Sequence, residues 1–308
     1  MKTNRPFLVT GAGGLLGSRI ARLLAEKRFA VAGTFHKTHP QIDSVSWYQS
    51  ELGNPDEIAP LLHKIDPSLV VHSAAFTAVD DAEDRHSEAS RTNVDATRRI
   101  AEECASRGLT MVYISTDYVF DGSTPPYSED APSNPLGHYA RTKWEGEVAV
   151  RELLPDDHVI CRVSVVFGWP WETQRQNFVS WAIGELRRSK TIRVVTDQWN
   201  NPTLAENGAM CIAGLIEARA KGTYHCTGRE CLSRYDFALK ICEQFDLPKE
   251  LVIPVKTSEL IQKAPRPTKN CVSVAKIEHL LGRICFSTEE ALAYMMDQEK
   301  STHAKRKV

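Results

Sequence analysis

The stretch Thr10-Gly11-Ala12-Gly13-Gly14-Leu15-Leu16-Gly17 lies between a short apolar run, Phe7-Leu8-Val9, and a segment from Leu15 to Lys27 whose apolar residues recur at helical spacing. A strand, a glycine-rich turn and a helix in that order constrain the fold more than any other feature of the chain. Gly11 allows the tight turn, Gly14 lets a pyrophosphate approach the backbone, and Gly17 lets helix and strand pack closely. The helix amino terminus then offers free N–H groups to phosphate. The turn therefore predicts a dinucleotide site formed by Gly11, Gly13, Gly14, Leu15, Leu16 and Gly17.

The alternation continues. Ala30 to Phe35 reads as a strand, Pro55 to Ile65 as a helix opened by proline, and Leu69 to Val71 as a strand. Glu88 to Ser106 reads as one long amphipathic helix, Thr110 to Ile114 as a strand, Tyr139 to Leu153 as a helix and His158 to Phe167 as a strand. Continuous apolar strands separated by helices imply an α/β fold, a Rossmann-like doubly wound parallel sheet covered on both faces. Beyond Gly168 the pattern changes to turn-rich segments, Trp169-Pro170-Trp171 and Asn200-Asn201-Pro202-Thr203, with helices such as Phe178 to Arg188 between short strands. The expected division is an NADP-binding domain over 1–167 and a smaller C-terminal substrate lobe over 168–308, interleaved with the last strands of the first.

Composition excludes several classes. With 42% hydrophobic residues the chain has ample apolar surface to fold, and 38 basic against 39 acidic residues give no pull toward nucleic acid. No apolar run is long enough to cross a bilayer, and the first strand begins too near Met1 to leave room for a signal peptide. A cytoplasmic protein acting on a small molecule is expected, with a homodimer admitted. Eight scattered cysteines (Cys104, Cys161, Cys211, Cys226, Cys231, Cys242, Cys271, Cys285) read as small buried apolar residues in a reducing compartment. They and the dispersed histidines show no metal-ligand spacing, so no metal is expected. The basic tail Lys305-Arg306-Lys307 reads as a frayed end.

The end of the second strand, Thr34-Phe35-His36-Lys37, has no acid until Asp43. A carboxylate there would repel a 2′-phosphate and a lysine attracts it, so NADPH is expected over NADH. Tyr139 and Lys143 stand four apart at the start of a predicted helix, on one face. An ammonium beside a phenol lowers its pKa toward the range where it can exchange protons. The strand end Tyr113-Ile114-Ser115-Thr116-Asp117-Tyr118 brings hydroxyls to the carboxyl edge of the sheet, where open α/β sheets bind ligands.

With these residues in view the chain resembles the extended short-chain dehydrogenase/reductases, and within them the dTDP-4-dehydrorhamnose reductase family. The resemblance rests on the glycine turn, Ala74-Ala75-Phe76-Thr77-Ala78-Val79-Asp80, Asn93-Val94, the run Ser115 to Gly122 and Tyr139-Ala140-Arg141-Thr142-Lys143. Asp197-Gln198, Pro202-Thr203 and Arg266-Pro267 extend it over nearly the whole chain. It implies Thr116, Tyr139 and Lys143 as a catalytic trio, with Tyr139 donating a proton, Thr116 polarising the carbonyl and Lys143 holding the nicotinamide ribose.

The same resemblance implies cofactor contacts at His36, Lys37, Glu51, Leu52, Ala74, Ala75 and Thr77, and substrate contacts at Thr77, Val79, Asp117, Val165, Asn177, Trp199 and Arg266. It leaves Asn93 as either a proton-relay member or a structural hydrogen-bonding group, and makes Arg162 an architectural anchor. Val163, Val165 and Phe76 depart from the family pattern, which more often has Thr, Trp and a histidine or tyrosine there. The implied activity is NADPH-dependent reduction of a 4-keto-6-deoxy nucleotide sugar. The lobe from Gly222 to Pro254 also resembles the regulatory beta subunit of methionine adenosyltransferase, which implies the alternative of an NADP-binding regulatory subunit with little turnover.

Overall fold

The computed structural model describes residues 5–172 and 174–305. The first half supplies six strands of one sheet: β1 (Phe7–Thr10), β2 (Val31–Phe35), β3 (Val45–Gln49), β4 (Leu69–His72), β5 (Thr110–Thr116) and β6 (His158–Val163). Between them run helices α1 (Leu15–Glu26), α2 (Ile58–Ile65), α3 (His86–Ser90), α4 (Ala96–Arg107) and α5 (His138–Leu153). A further strand from the second half, Gly222–His225, pairs parallel with β6 and completes the sheet. The order is Gly222–His225, β6, β5, β4, β1, β2, β3, every pairing parallel.

Successive side chains of a strand point to opposite faces, which explains the unbroken apolar runs. Val9, Val71 and Val112 face α1 and the helix Ala205–Glu217, packing on Leu16, Ile20, Ile212 and Leu215. Their neighbours Leu8, Val70 and Met111 face the other way, onto Ile58 and Leu62 of α2, Ile100 of α4 and Val150 of α5. Because β2 and β4 flank β1 on opposite sides, the chain reverses direction of winding between β1 and β4, and a crevice opens at their carboxyl ends. The rest of the second half packs the helices Phe178–Arg187, Arg234–Phe245 and Thr288–Lys305 around Phe167, Phe237, Ile241 and Leu292.

Four local differences from the sequence reading have physical causes. β3 is absent from that reading because it is an edge strand with only Val45 fully buried, so its pattern lacks an apolar run. The long helix is interrupted by a π turn at Arg91–Asp95, between α3 and α4. The strand expected through Phe167 breaks at Ser164-Val165, where Val165 takes a φ of 43°, a left-handed conformation costly for a β-branched residue. Finally, the cysteines are not all simple apolar filler. Cys231 and Cys271 form a disulfide with Cα atoms 5.4 Å apart, while the other six remain free and buried. They lie 40 residues apart in sequence and meet only through tertiary packing, so spacing gave no sign of the pair. Arg306 and Lys307 of the basic tail lie outside the described residues. Among the described residues no helix is long and apolar enough to cross a membrane.

Candidate active site

A cleft of about 770 Å³ runs along the carboxyl ends of the strands, from the glycine turn to Tyr139. Its first wall is mostly backbone. Gly11 has φ 65°, and a Cβ there would lie 2.6 Å from the backbone of Ala74; a Cβ on Gly17 would lie 2.4 Å from the carbonyl oxygen of Gly11. Gly14 heads α1 in extended geometry without a side-chain cap, and the first turn carries no acid. A Cβ on Gly14 would meet only the Gly11 oxygen, at 3.3 Å, so its α-carbon faces open space. The bare N–H groups of a twelve-residue helix and this open approach fit a pyrophosphate. Gly13, Leu15 and Leu16 line the same stretch. Gln174, from beyond β6, donates to the Gly13 carbonyl at 2.9 Å and steadies the turn.

At the far end of this wall His36, Lys37, Glu51 and Leu52 all line the cleft. His36 Nδ1 lies 2.7 Å from a Glu51 carboxylate oxygen, both side chains about half exposed, so the one acid at this end is paired. Lys37 has no such partner among the described residues. Ala74, Ala75 and Thr77 follow β4 and line the middle, with Val79 beyond. Asn93, in the π turn, secures this loop. Its Oδ1 accepts from Phe76 N at 2.8 Å, and its Nδ2 donates to Phe76 O and to Thr142 Oγ1 at 3.2 and 3.0 Å. All of its N–H groups are engaged, which is a structural arrangement. Beneath it, His72 bridges Thr10 and Thr97 at 2.7 and 3.0 Å, and burial pushes its pKa down to about 3, so it is neutral.

The second wall carries Thr116, Tyr139 and Lys143. Thr116 ends β5, and its hydroxyl accepts from Tyr118 N and donates to Asp117 Oδ1 at 3.2 Å, with the Tyr139 phenol beside it. Tyr139 and Lys143 stand one turn apart on α5, both on the cleft. Burial raises the Tyr139 phenol well above its ordinary pKa, the neighbouring Thr116 hydroxyl opposing. This reverses the expected lowering by Lys143. The lysine side chain runs under the sheet edge instead, donating to Ile114 O at 2.8 Å with its Nζ 4.1 Å from the Tyr113 ring centroid. Burial lowers its pKa to about 7, with Glu147 opposing.

Asp117 also lines the cleft, yet its carboxylate is turned into the protein. It accepts from Ser164 at 2.7 Å, Asn200 at 3.1 Å and Asn270 at 3.0 Å, and burial raises its pKa to about 6 against these bonds. Val165 lines the cleft as well. Asn177, Trp199 and Arg266 are not among the lining residues. Asn177 caps the helix Phe178–Arg187, Trp199 pairs with Ser233 and stacks under Lys269, and Arg266 forms a two-pronged ion pair with Asp80, both bonds 2.8 Å. Arg162 is buried in a two-pronged pair with Glu147 at 2.9 and 2.8 Å, an anchor between β6 and α5.

Several lining residues carried no site role in the sequence reading: Thr38, Ser50, Thr92, Tyr118, Val163 and Arg234. Tyr118 lies one residue past Asp117 and was within reach of the motif argument. Arg234 comes from the second half, and nothing in its local pattern marks it.

Against this geometry, the sequence profile of the RmlD substrate binding domain matches residues 5–301. The chain belongs to that family. Among its curated relatives, the chain is 35% identical over 92% of its length to a probable low-salt glycan biosynthesis reductase of Haloferax volcanii, covering 95% of that protein. It is 32% identical to the methionine adenosyltransferase 2 subunit beta of Bos taurus, over 90% of this chain and 83% of that one. Among solved structures, the dTDP-4-dehydrorhamnose reductase of Bacillus anthracis in complex with NADP superposes with a TM-score of 0.83, at 28% identity, covering 97% of this chain and all of that one (100%). The RmlD-family match spans both the glycine-turn wall and the lobe that supplies Arg234 and Asn270.

Proposed function

We propose that the protein is an NADPH-dependent reductase of a keto nucleotide sugar, of the 4-keto-6-deoxy class. The observation that carries this reading is the meeting of Thr116, Tyr139 and Lys143 on the cleft wall opposite an uncapped, glycine-headed helix. Bound NADPH would supply the hydride. Lys37 and the paired state of Glu51 favour the 2′-phosphate form, because a bare carboxylate at that end would repel it.

The chain's own groups account for the proton. Because burial keeps the Tyr139 phenol protonated at neutral pH, its oxygen holds a proton for the alkoxide that forms at the carbonyl. Thr116, beside that phenol on the same wall, would hydrogen-bond the carbonyl oxygen. Lys143 uses one N–H on Ile114 O and keeps two for ribose hydroxyls. Thr77, Val79 and Val165 shape the sugar side.

The test is NADPH oxidation by the purified protein against a panel of 4-keto-6-deoxy nucleotide sugars, with NADH in parallel. Turnover on one of them, faster with NADPH, is the expected result. The likeness to the methionine adenosyltransferase 2 beta subunits supports a second reading, a binding subunit that holds NADP without turning it over. Tight NADPH binding with no oxidation across the panel would favour that reading and overturn the first.

A further inference from the structure

Arg234 is the first residue of the helix Arg234–Phe245, and its side chain reaches the cleft wall formed by Thr116, Asp117, Tyr118 and Tyr139. Its guanidinium packs over Phe178, 5.3 Å from the ring centroid, with the Tyr118 phenol close by. Its backbone is held by Gln198 at 2.9 Å. No carboxylate pairs with it among the described residues. The neighbouring guanidiniums are both engaged, Arg266 with Asp80 and Arg162 with Glu147. The nearby carboxylate, Asp117, already accepts from Ser164, Asn200 and Asn270.

A cation at the first position of a helix also opposes the helix dipole. Arg234 therefore sits where local stability disfavours it, with only the inward-turned Asp117 carboxylate near it, while Ser233 and Asp236 already serve the helix end, so the anion it favours is one entering the cleft. The Tyr118 ring stands edge-on to Tyr139 with centroids 6.4 Å apart, and Arg234 lines the same cleft as both. A hexose whose keto carbon meets Tyr139 spans about that width and carries its anomeric substituent on the far side.

We propose that Arg234 receives the diphosphate of the nucleotide-sugar substrate and is a specificity-determining residue of this site. The proposal rests on the reading of the protein as a nucleotide-sugar reductase. It assigns the anion-binding role to the open guanidinium of Arg234, leaving Arg266 as a strut held by Asp80. The planar fork of arginine matches two phosphate oxygens, and a mobile point charge would not.

The test is calorimetric titration of NADP-loaded protein with dTDP, UDP and GDP, for wild type and Arg234→Gln, at low salt and again in concentrated KCl. For whichever diphosphate the wild type binds, Arg234→Gln is expected to weaken affinity roughly 10–100-fold at low salt, the loss of a charge-assisted pair. High salt should shrink that gap, and NADP affinity should be the same in both proteins. Equal diphosphate affinity in the two proteins would overturn the proposal, as would a gap that salt does not change, which marks a purely structural role behind Tyr118. A wild type that binds none of the three diphosphates would instead bring down the nucleotide-sugar reading, and this inference with it.

Discussion

The glycine-turn wall of the cleft is made largely of backbone, whereas the Tyr139 wall is made of side chains tied to one another across long stretches of sequence. Gly11, Gly13, Gly14 and Gly17 lie within seven residues, and what they provide is space and bare N–H groups. Asp117, Ser164, Asn200 and Asn270 come from four separate segments and converge on one carboxylate. The glycine turn of the first wall is supplied by a single strand–turn–helix unit. The second exists only once both halves of the chain have docked, so a substitution there is felt in the docking as well as in the chemistry.

That contrast can be broken most sharply at Tyr139. Tyr139→Phe should slow single-turnover NADPH oxidation with a competent keto sugar by about 10²–10⁴-fold while leaving NADPH affinity intact. Comparable rates in the two proteins would remove Tyr139 from the chemistry. On the backbone wall, Gly17→Ala places a methyl 2.4 Å from the Gly11 carbonyl oxygen. It should cost about 1–3 kcal/mol of stability and weaken NADPH, measured by denaturant melts and fluorescence titration. An unchanged melt would mean that the turn yields more easily than its geometry suggests.

Asp117→Asn tests the side-chain wall. The amide oxygen would keep Ser164, Asn200 and Asn270, which all donate to one carboxylate oxygen, while the amide nitrogen would replace the oxygen that accepts from Thr116 Oγ1, so about 0.5–1.5 kcal/mol of stability should be lost. NADPH affinity should hold, and a fall in it equal to that of Gly17→Ala would show that the walls are not separable.

The smallest effect is expected at Lys143. Its pKa is lowered to about 7 from an ordinary 10.5, so between those values the unfolded chain holds a proton that the folded one has released. Stability from this group is therefore lowest below pH 7 and rises as pH climbs toward 10. Lys143→Met should abolish that rise and gain about 1 kcal/mol at pH 6, read from thermal melts between pH 6 and 9. A variant less stable than wild type at pH 6 would show that the Ile114 and Tyr113 contacts outweigh the burial of charge.

The legibility of the two walls in the sequence follows the same division. The glycine turn, the alternating strands and the Tyr139–Lys143 spacing are local patterns, and a few residues suffice to recognise each. Arg234, the engagement of Arg266 by Asp80, and the disulfide between Cys231 and Cys271 depend on contacts between segments 40 to 186 residues apart, which no local pattern encodes. The Tyr139 phenol shows a second kind of gap. Charge pairing was visible in the spacing, but the depth of burial that outweighs it was not. β3 shows a third, since an edge strand half exposed to water carries no apolar run to read.

The strand Gly222–His225 has a consequence for how this chain can come into being. It caps β6, whose outer edge is otherwise a row of unpaired backbone donors and acceptors. During synthesis that edge must wait until more than fifty further residues have been made, from Val163 to Gly222, before its neighbour arrives. A chain cut after Phe167 would keep the glycine turn, Tyr139 and Lys143, yet would present β6 as an open, sticky margin prone to pair with another copy. The half of the molecule that carries the glycine turn, Tyr139 and Lys143 depends, for a closed sheet margin, on a four-residue strand borrowed from the other half.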